Sequence, residues 1–160
     1  MKLPALDEFA PKELLCLFGS ILDELQSRSI VRTSNNPVSD YTEWLVSTRL
    51  NLKLAGNSEK GFDATSGSDG LKYEIKARRV TPANKSRQLS AIRDIEGKHF
   101  DFLIAVVYNK NFDVILALKI PHAVVVGRSS FVEKTNSYKL MAEDSLKSEP
   151  GVEDITQLLK

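Results

Sequence analysis

The chain contains 160 residues, of which 42% are apolar and 27% are charged, and its formal net charge is +1. This length and composition are typical of a single soluble domain. No apolar run approaches the roughly 20 residues that a membrane span requires, and the first residues include acids and a proline where a secretory signal has an apolar segment. We therefore expect one cytoplasmic domain spanning residues 1–160.

The few cysteines and histidines restrict the kind of metal site that this chain can form. Cys16 is the only cysteine, which excludes an internal disulfide, and the only histidines are His99 and His122. Because zinc sites use several cysteine or histidine ligands, any metal here is expected to be held by oxygen atoms. Both histidines flank predicted strands, and we expect them to have structural or surface roles.

Charge is unevenly distributed along the chain. Residues 72–98 contain eight lysines or arginines against three acids, whereas residues 133–160 contain four against six. Because clustered basic residues attract polyanions, any such partner is expected to bind near residues 72–98.

Two helices are predicted in the first third of the chain. Residues 11–26 carry apolar side chains at the spacing of one helical face, namely Leu14, Leu15, Phe18, Ile21, Leu22 and Leu25. We expect this to be an N-terminal packing helix, extending over about residues 11–27. A second helix is predicted from about residue 40 to residue 55, with Gly56 as its stop. It is apolar on two sides, which is typical of a helix sandwiched within a domain.

Glu43 lies at the head of one apolar stripe of the second helix, nearly in line with Leu50 and Leu54. Two interpretations stay open for this acid. The spacing Asp40-x-x-Glu43 matches a capping box in which aspartate replaces serine or threonine, and a capping glutamate needs no other role. In the alternative interpretation, Glu43 contributes its carboxylate to a functional site.

Residues 61–65 and 71–79 are strand-like runs separated by a loop rich in glycine and serine, which together predict a hairpin. Alternation along the second strand puts Glu74, Lys76 and Arg78 on one face and the apolar side chains on the other.

The position of Asp63 depends on the register of this hairpin. A four-residue loop puts Asp63 opposite Glu74, whereas a five-residue loop puts it opposite Tyr73, on the other face. We favour the four-residue loop, because it gathers the apolar residues of both strands on one side.

Two opposed carboxylates repel each other and destabilise a hairpin unless a cation lies between them. Carboxylate oxygens, together with a backbone carbonyl and waters, suit Mg²⁺ or Mn²⁺. Lys76 would then stand beside the metal, where its ammonium stabilises charge on a phosphate or positions a water. The hairpin therefore predicts the chemistry of phosphodiester hydrolysis.

Asp63, followed after ten residues by Glu74-Ile75-Lys76, resembles the motif of the PD-(D/E)xK phosphodiesterase superfamily, which has the restriction-endonuclease-like fold. Asp63 corresponds to the aspartate of the first motif, although Phe62 replaces the usual proline. Glu74 and Lys76 correspond to the acid and the lysine of the second.

The resemblance covers about residues 40–120 and implies an α/β fold with a mixed central sheet flanked by helices. Glu43 corresponds to the acid that many members carry on the helix before the sheet. The metal ligands implied are Asp63, Glu74, the carbonyl of Ile75, and Glu43.

A basic helix is predicted from residue 85 to residue 96, and it is interpreted either as a solvated face or as a phosphate-binding surface. The candidate nucleic-acid-binding residues are Arg78, Arg79, Lys85, Arg87, Gln88 and Arg93. Arg78 is favoured over Arg79 because it shares the face of Glu74 and Lys76. Gln88 resembles a polar residue that some family members carry after the motif strand.

The remainder of the chain is predicted to complete the sheet. Residues 100–108 and 112–120 are apolar runs typical of covered strands. Pro121 is expected to open a short helix reaching Val126. Residues 129–130 and 135–138 are interpreted either as contacts to nucleic acid or as a turn and an edge strand. Residues 152–159 are interpreted as a weak amphipathic helix.

We expect a metal-dependent nuclease, an endonuclease that uses Mg²⁺ or Mn²⁺ to hydrolyse DNA. Cleavage of both strands of a duplex would require a homodimer or a partner subunit. The alternative is a binding protein and not an enzyme: a catalytically inert module that keeps the fold and binds nucleic acid or a protein partner. A third interpretation is an ordinary α/β protein with a charged strand face.

Overall fold

A six-stranded mixed sheet forms the centre of the computed structural model, which describes residues 4–56 and 61–160. The strands are β1 (Leu52–Leu54), β2 (Ala64–Ser66), β3 (Lys72–Arg79), β4 (Phe102–Tyr108), β5 (Val114–Pro121) and β8 (Glu153–Asp154), in that order across the sheet. Among the described strands of this sheet, β3 and β4 pair in parallel, and every other neighbouring pair is antiparallel. The expected α/β class with a mixed sheet is confirmed.

Three α-helices and a small hairpin accompany this sheet within the described residues. The helices are α1 (Pro11–Ser27), α2 (Val38–Leu50) and α3 (His122–Arg128). The hairpin consists of β6 (Ser130–Val132) and β7 (Ser137–Lys139). Short 3₁₀ turns cover Leu6–Glu8, Ile95–Gly97, Glu133–Thr135, Asp144–Ser148 and Thr156–Leu159.

Both faces of the sheet are covered by hydrophobic clusters. Alternate residues of β4 point to opposite sides: Leu103 and Ala105 join one cluster, while Ile104 and Val106 join the other. The first cluster includes side chains of segment 89–100 and of α3, and the second includes side chains of α2 and of the C-terminal 3₁₀ turn. This double coverage explains why β4 is a continuous apolar run in the sequence.

The helix α2 is shorter than the sequence predicts. It begins at Val38, preceded by Pro37, and ends at Leu50, where Asn51 adopts a left-handed conformation with φ of 53°. Leu52 and the residues after it pair with β2 as a strand. The prediction of a helix over residues 40–55 is therefore wrong at its end, because asparagine tolerates the left-handed conformation that terminates a helix five residues before Gly56.

The predicted helix over residues 85–96 is absent. This segment runs beside β7 and the residues that follow it: the amide of Leu89 donates to the carbonyl of Leu140, and the amide of Ile92 donates to the carbonyl of Tyr138. Leu89, Ile92 and Ile95 are buried against the sheet. Their three-residue spacing suggests a helix, but these tertiary bonds to the β7 region override the weak local preference.

The helix α1 has the predicted boundaries but does not pack as expected. Leu22 is buried, whereas Leu15, Phe18 and Ile21 are 71%, 52% and 49% exposed. A cavity of about 640 Å³ separates part of this apolar face from Tyr41 and its neighbours. The description of α1 as a packing helix therefore applies to the side around Leu22 and not to the whole stripe.

The predictions for the C-terminal part are confirmed for its strands and only partly for its helices. The strands β4 and β5 pair as neighbours beside the motif hairpin, and α3 begins after Pro121 as predicted. Residues 152–159 instead form the edge strand β8 and a 3₁₀ turn. No helix within residues 4–56 and 61–160 is long and apolar enough to cross a membrane.

Candidate active site

The β2–β3 hairpin has the register with the four-residue loop. Ala64 pairs with Tyr73 and Thr65 pairs with Lys72, and the amide of Ser66 donates to the carbonyl of Leu71. Continuing this register by one residue puts Asp63 opposite Glu74. The interpretation in which Asp63 lies on the face of Tyr73 is therefore wrong, and the burial of Ala64 and Tyr73 on the apolar side supplies the physical reason.

Asp63 is fixed to β3 by two hydrogen bonds. Its amide donates to the carbonyl of Tyr73, and its Oδ2 atom accepts a hydrogen bond of 2.6 Å from the amide of Ile75. Burial raises the pKa of Asp63, and the charge of Glu74 raises it further, while the bond from Ile75 opposes both effects. The carboxylate is therefore held in place at an electrostatic cost that a nearby cation would lower.

Lys76 pairs with Glu74 along the same face of β3. Its Nζ atom lies 2.5 Å from Oε1 of Glu74, and the two side chains are 18% and 13% exposed. The ammonium thus neutralises one carboxylate of the opposed pair. An acid and a lysine two residues apart on a strand meet in this way because alternate side chains share a face.

Glu43 lies close enough to this group to interact with it electrostatically. Burial raises the pKa of Glu43 to about 7, and the charge of Asp63 adds to this increase, whereas Arg32 and Lys76 oppose it. Arg32 forms an ion pair with Glu43 through its guanidinium group and also donates to the carbonyl of Ala55. The sequence does not identify Arg32 as a partner of Glu43. Arg32 lies in a loop 11 positions earlier in the chain, and no local pattern indicates that the two side chains pair.

The capping-box interpretation of Glu43 is wrong. Asp40 lies inside the first turn of α2, and its Oδ2 atom accepts hydrogen bonds of 2.8 Å from the amides of Arg32 and Thr33. Asp40 therefore ties the preceding loop to the helix, while the carboxylate of Glu43 is engaged by the side chain of Arg32.

A cavity of about 850 Å³ opens on this face of the hairpin, and we call it the cleft. One wall is formed by the hairpin, and the opposite wall is formed by the irregular segment that the sequence predicted as a helix. The lining residues are Gly61, Phe62, Asp63, Glu74, Lys76, Ser90, Ala91, Arg93, Asp94, His99 and Phe100. The cleft therefore gathers carboxylates, a lysine, an arginine and a histidine at one site.

His99 and Asp94 are cleft residues that sequence reasoning did not find. The Nε2 atom of His99 lies 2.6 Å from Oδ2 of Asp94, and both side chains are partly exposed. A His and an Asp five residues apart with glycine between them form a common local pattern, so only their place in the lining of the cleft marks them as site residues.

The chemistry of the donors fits a divalent cation, although the side chains are paired internally. Asp63 and Glu74 are interacting carboxylates that line the cleft, Ile75 follows Glu74 on β3, and Glu43 adds a third carboxylate that interacts with Asp63. Their mutual repulsion and burial are what a hard cation with oxygen ligands relieves. Within the described ranges, however, no three histidine, cysteine, aspartate or glutamate side chains are clustered as a ready-made metal site.

The candidate nucleic-acid-binding residues separate into two groups. Arg93 lines the cleft, and Lys85 and Gln88 are exposed beyond it. The remaining three are held by protein acceptors: Arg78 by the carbonyl of Ser86, Arg79 by the carbonyl of Lys110, and Arg87 by the carboxylate of Asp144. Arg79 also stacks over Phe112, on the opposite side of the sheet from Lys76.

Searches with the sequence find no protein-family model and no curated protein that matches it significantly. The functional interpretation of this site therefore rests on its geometry and on the resemblance of its motif.

Proposed function

We propose that this protein is a metal-dependent nuclease of the PD-(D/E)xK superfamily, with a restriction-endonuclease-like fold, and that it hydrolyses phosphodiester bonds of DNA. The observation that carries the proposal is that Asp63, Glu74 and Lys76 line one cleft, with Lys76 bonded to Glu74 and the charge of Glu74 acting on Asp63. The mixed sheet with the motif strand next to a parallel strand is compatible with the proposed fold.

In this proposal Asp63, Glu74 and the carbonyl of Ile75, with Glu43, hold Mg²⁺ or Mn²⁺. The bound cation supplies a Lewis acid and lowers the pKa of water. The bond from the amide of Ile75 keeps Asp63 aimed across the hairpin, so that little side-chain freedom is lost when a ligand binds.

Lys76 changes partner in the proposed reaction. In the structure its ammonium is neutralised by Glu74. When the charge of Glu74 is engaged elsewhere, the ammonium becomes available to orient a water or to stabilise negative charge on the phosphate. Its small exposed fraction, 18%, means that little bulk water screens this interaction.

The cleft supplies the contacts that hold the DNA backbone. Arg93 is an exposed cation on the wall opposite the hairpin, and Lys85 extends the positive surface. Contacts of this kind position a strand without specifying its sequence. With one site per chain, cleavage of both strands of a duplex requires two copies of the chain or a partner subunit.

The test is cleavage of single-stranded and duplex DNA, and of RNA, in Mg²⁺, in Mn²⁺ and in EDTA. We expect Asp63→Asn, Glu74→Gln and Lys76→Met each to abolish cleavage while the far-ultraviolet circular dichroism stays unchanged. The matched controls are Lys119→Met and Glu153→Gln, which break a cross-strand ion pair of 2.9 Å outside the cleft and should cleave at the wild-type rate. Undiminished cleavage by the first three variants would falsify the proposal.

A second function is favoured by one specific observation. Glu74 is paired with Lys76, Glu43 is paired with Arg32, and a pre-formed three-ligand metal group is missing from the described part of the chain. This arrangement is what an inert module that binds nucleic acid through the same cleft would have. Calorimetric titration with Mn²⁺ separates the two functions: heat that is lost in Asp63→Asn indicates the nuclease, and no heat combined with DNA binding indicates the inert module.

A further inference from the structure

We propose that His99, oriented by Asp94, is the general acid that protonates the sugar oxygen leaving from the cleaved phosphodiester. This inference rests on the proposed nuclease function and adds a residue that the motif does not contain. His99 lines the same cleft as Asp63, Glu74 and Lys76, and it packs against Gly61 at the start of the hairpin. A phosphodiester bound in the cleft would therefore meet the imidazole as well as the carboxylates and Lys76.

The side chain of Asp94 occupies one of the two ring nitrogens of His99 and leaves the other available to a substrate. Asp94 engages Nε2 at 2.6 Å. Among the described residues no hydrogen bond is made by the other ring nitrogen, Nδ1. A carboxylate bound to one imidazole nitrogen fixes the orientation of the ring and leaves the other nitrogen to interact with a substrate, which is the arrangement that a proton donor needs.

Two glycines make room for this pair. A Cβ atom at Gly61 would lie 2.4 Å from Cβ of His99, and a Cβ atom at Gly97 would lie 2.4 Å from its Nε2 atom. Gly61 also has a φ of +90°, which disfavours other residues there. The imidazole is therefore seated closely between the segment that leads into β2 and the turn that carries Asp94.

The turn of residues 94–98 is also fixed by hydrogen bonds to residues outside the cleft. The Nε2 atom of His122 donates to the carbonyl of Ile95 at 2.7 Å, and the hydroxyl of Tyr138 donates to Glu96 at 2.9 Å. Ile95 is buried, and Asp94 and Lys98 at the two ends of the turn both have a φ of +47°. Non-glycine residues in the left-handed region are costly, and rigid surroundings are needed to maintain them.

The proposed step is balanced without any oxidant or reductant. Water forms a new bond to phosphorus, and the bond from phosphorus to the leaving sugar oxygen breaks with its electron pair going to that oxygen. His99 gives the oxygen a proton from its free nitrogen. The proton released by the attacking water passes to solvent, from which His99 is protonated again.

The experiment compares two substrates in wild-type protein and in His99→Ala. One is an oligonucleotide cleaved at an ordinary phosphodiester, and the other carries sulfur in place of the leaving bridging oxygen, prepared as separate 3′ and 5′ versions. A thiolate leaves without protonation, so the sulfur substrate does not need a general acid. Rates are measured in Mg²⁺ and in Mn²⁺ under single-turnover conditions.

We expect His99→Ala to slow cleavage of the ordinary substrate by about 10²–10⁴-fold, the usual contribution of general acid catalysis. On the sulfur substrate the same variant should come within about tenfold of wild type, because the remaining groups of the site are intact. Asp94→Asn should slow cleavage of the ordinary substrate by a smaller factor, and it should likewise come close to the wild-type rate on the sulfur substrate. Lys98→Ala, which removes a neighbouring side chain outside the cleft, should behave as wild type on both substrates.

Three results would overturn the inference. Wild-type rates for His99→Ala on the ordinary substrate, or equal slowing on both substrates, would overturn the role of His99 while leaving the nuclease intact. Absence of metal-dependent cleavage by the wild-type chain would overturn the nuclease function and this role together. Melting curves of His99→Ala and Lys98→Ala, measured in parallel, identify any loss that comes from unfolding.

Discussion

Asp63 and Glu74 line one cleft beside the β2–β3 hairpin, and the charge of Glu74 acts on the carboxyl group of Asp63. Burial and the charge of Glu74 raise the pKa of Asp63, so the pair weakens the folded state when no cation is bound. We therefore expect the proposed metal binding to raise the free energy of unfolding.

The first prediction concerns Asp63→Asn. Its amide oxygen can still accept the bond from Ile75, while the repulsion from Glu74 disappears. We expect the melting temperature in EDTA to be unchanged or higher than that of wild type. Saturating Mg²⁺ should stabilise wild type, by about 2.7 kcal/mol at a hundred times the dissociation constant, and should not stabilise the variant.

The control is Asp69→Asn in the loop of the same hairpin, where the carboxylate also accepts a main-chain bond, from Leu71. Asp69 lies outside the cleft, so this variant should keep the Mg²⁺ shift. An equal Mg²⁺ shift in Asp63→Asn would remove Asp63 from the proposed site.

The second prediction concerns the ion pair of Arg32 with Glu43. Glu43 is only 13% exposed, so Arg32→Met leaves a mostly buried carboxylate without this partner and should cost about 1–3 kcal/mol of unfolding free energy. Adding Glu43→Gln should recover part of that loss, because a neutral amide needs no counter-ion. The measurement is a double-mutant cycle by urea denaturation.

Arg28→Met is the matched control for this cycle. Its pair with Glu24 is on the surface, with side chains 64% and 59% exposed, so its loss should cost less than about 0.5 kcal/mol. Strict additivity of the Arg32 and Glu43 substitutions would show that the pair is not coupled.

The third prediction compares two leucines of α1. Leu22 is 4% exposed and Leu15 is 71% exposed, although both belong to one apolar stripe. Leu22→Ala should lower the unfolding free energy by about 2–5 kcal/mol, and Leu15→Ala should change it by less than about 0.5 kcal/mol. A large effect of Leu15→Ala in urea denaturation would mean that the exposed part of the stripe is covered in solution.

The fourth prediction is a pH dependence of stability that comes from Asp154. Hydrogen bonds from the side chain and the amide of Thr156 lower the pKa of Asp154 from 3.8 to about 2. A depressed folded-state pKa stabilises the fold above the unfolded value, and the contribution is lost as the pH falls from about 4 towards 2.

The corresponding measurement is the difference in unfolding free energy between wild type and Asp154→Asn as a function of pH. The difference should be largest near neutral pH and should shrink below pH 4. Because the side chain is 42% exposed, solvent screening should keep the difference on the order of 1 kcal/mol or less. A difference that stays constant from pH 7 to pH 2.5 would exclude this carboxylate as its source.

Periodicity and burial are enough to predict part of this fold from the amino-acid sequence. The two-residue alternation of β3 puts Glu74 and Lys76 on one face, and the requirement to bury Ala64 with Tyr73 selects the register that aligns Asp63. The uninterrupted apolar runs of β4 and β5 likewise require cover on both sides. These features are local, so the pattern of side chains is sufficient to predict them.

The residues that complete the cleft beside the hairpin depend on contacts between distant parts of the chain. Segment 85–96 has helical spacing but is held in an extended path by main-chain bonds to residues about 50 positions further along the chain. This path brings Asp94 and His99 to the cleft, just as the path of the loop before α2 brings Arg32 to Glu43. Such contacts depend on long-range packing energies that exceed local propensity, and no short stretch of sequence contains them.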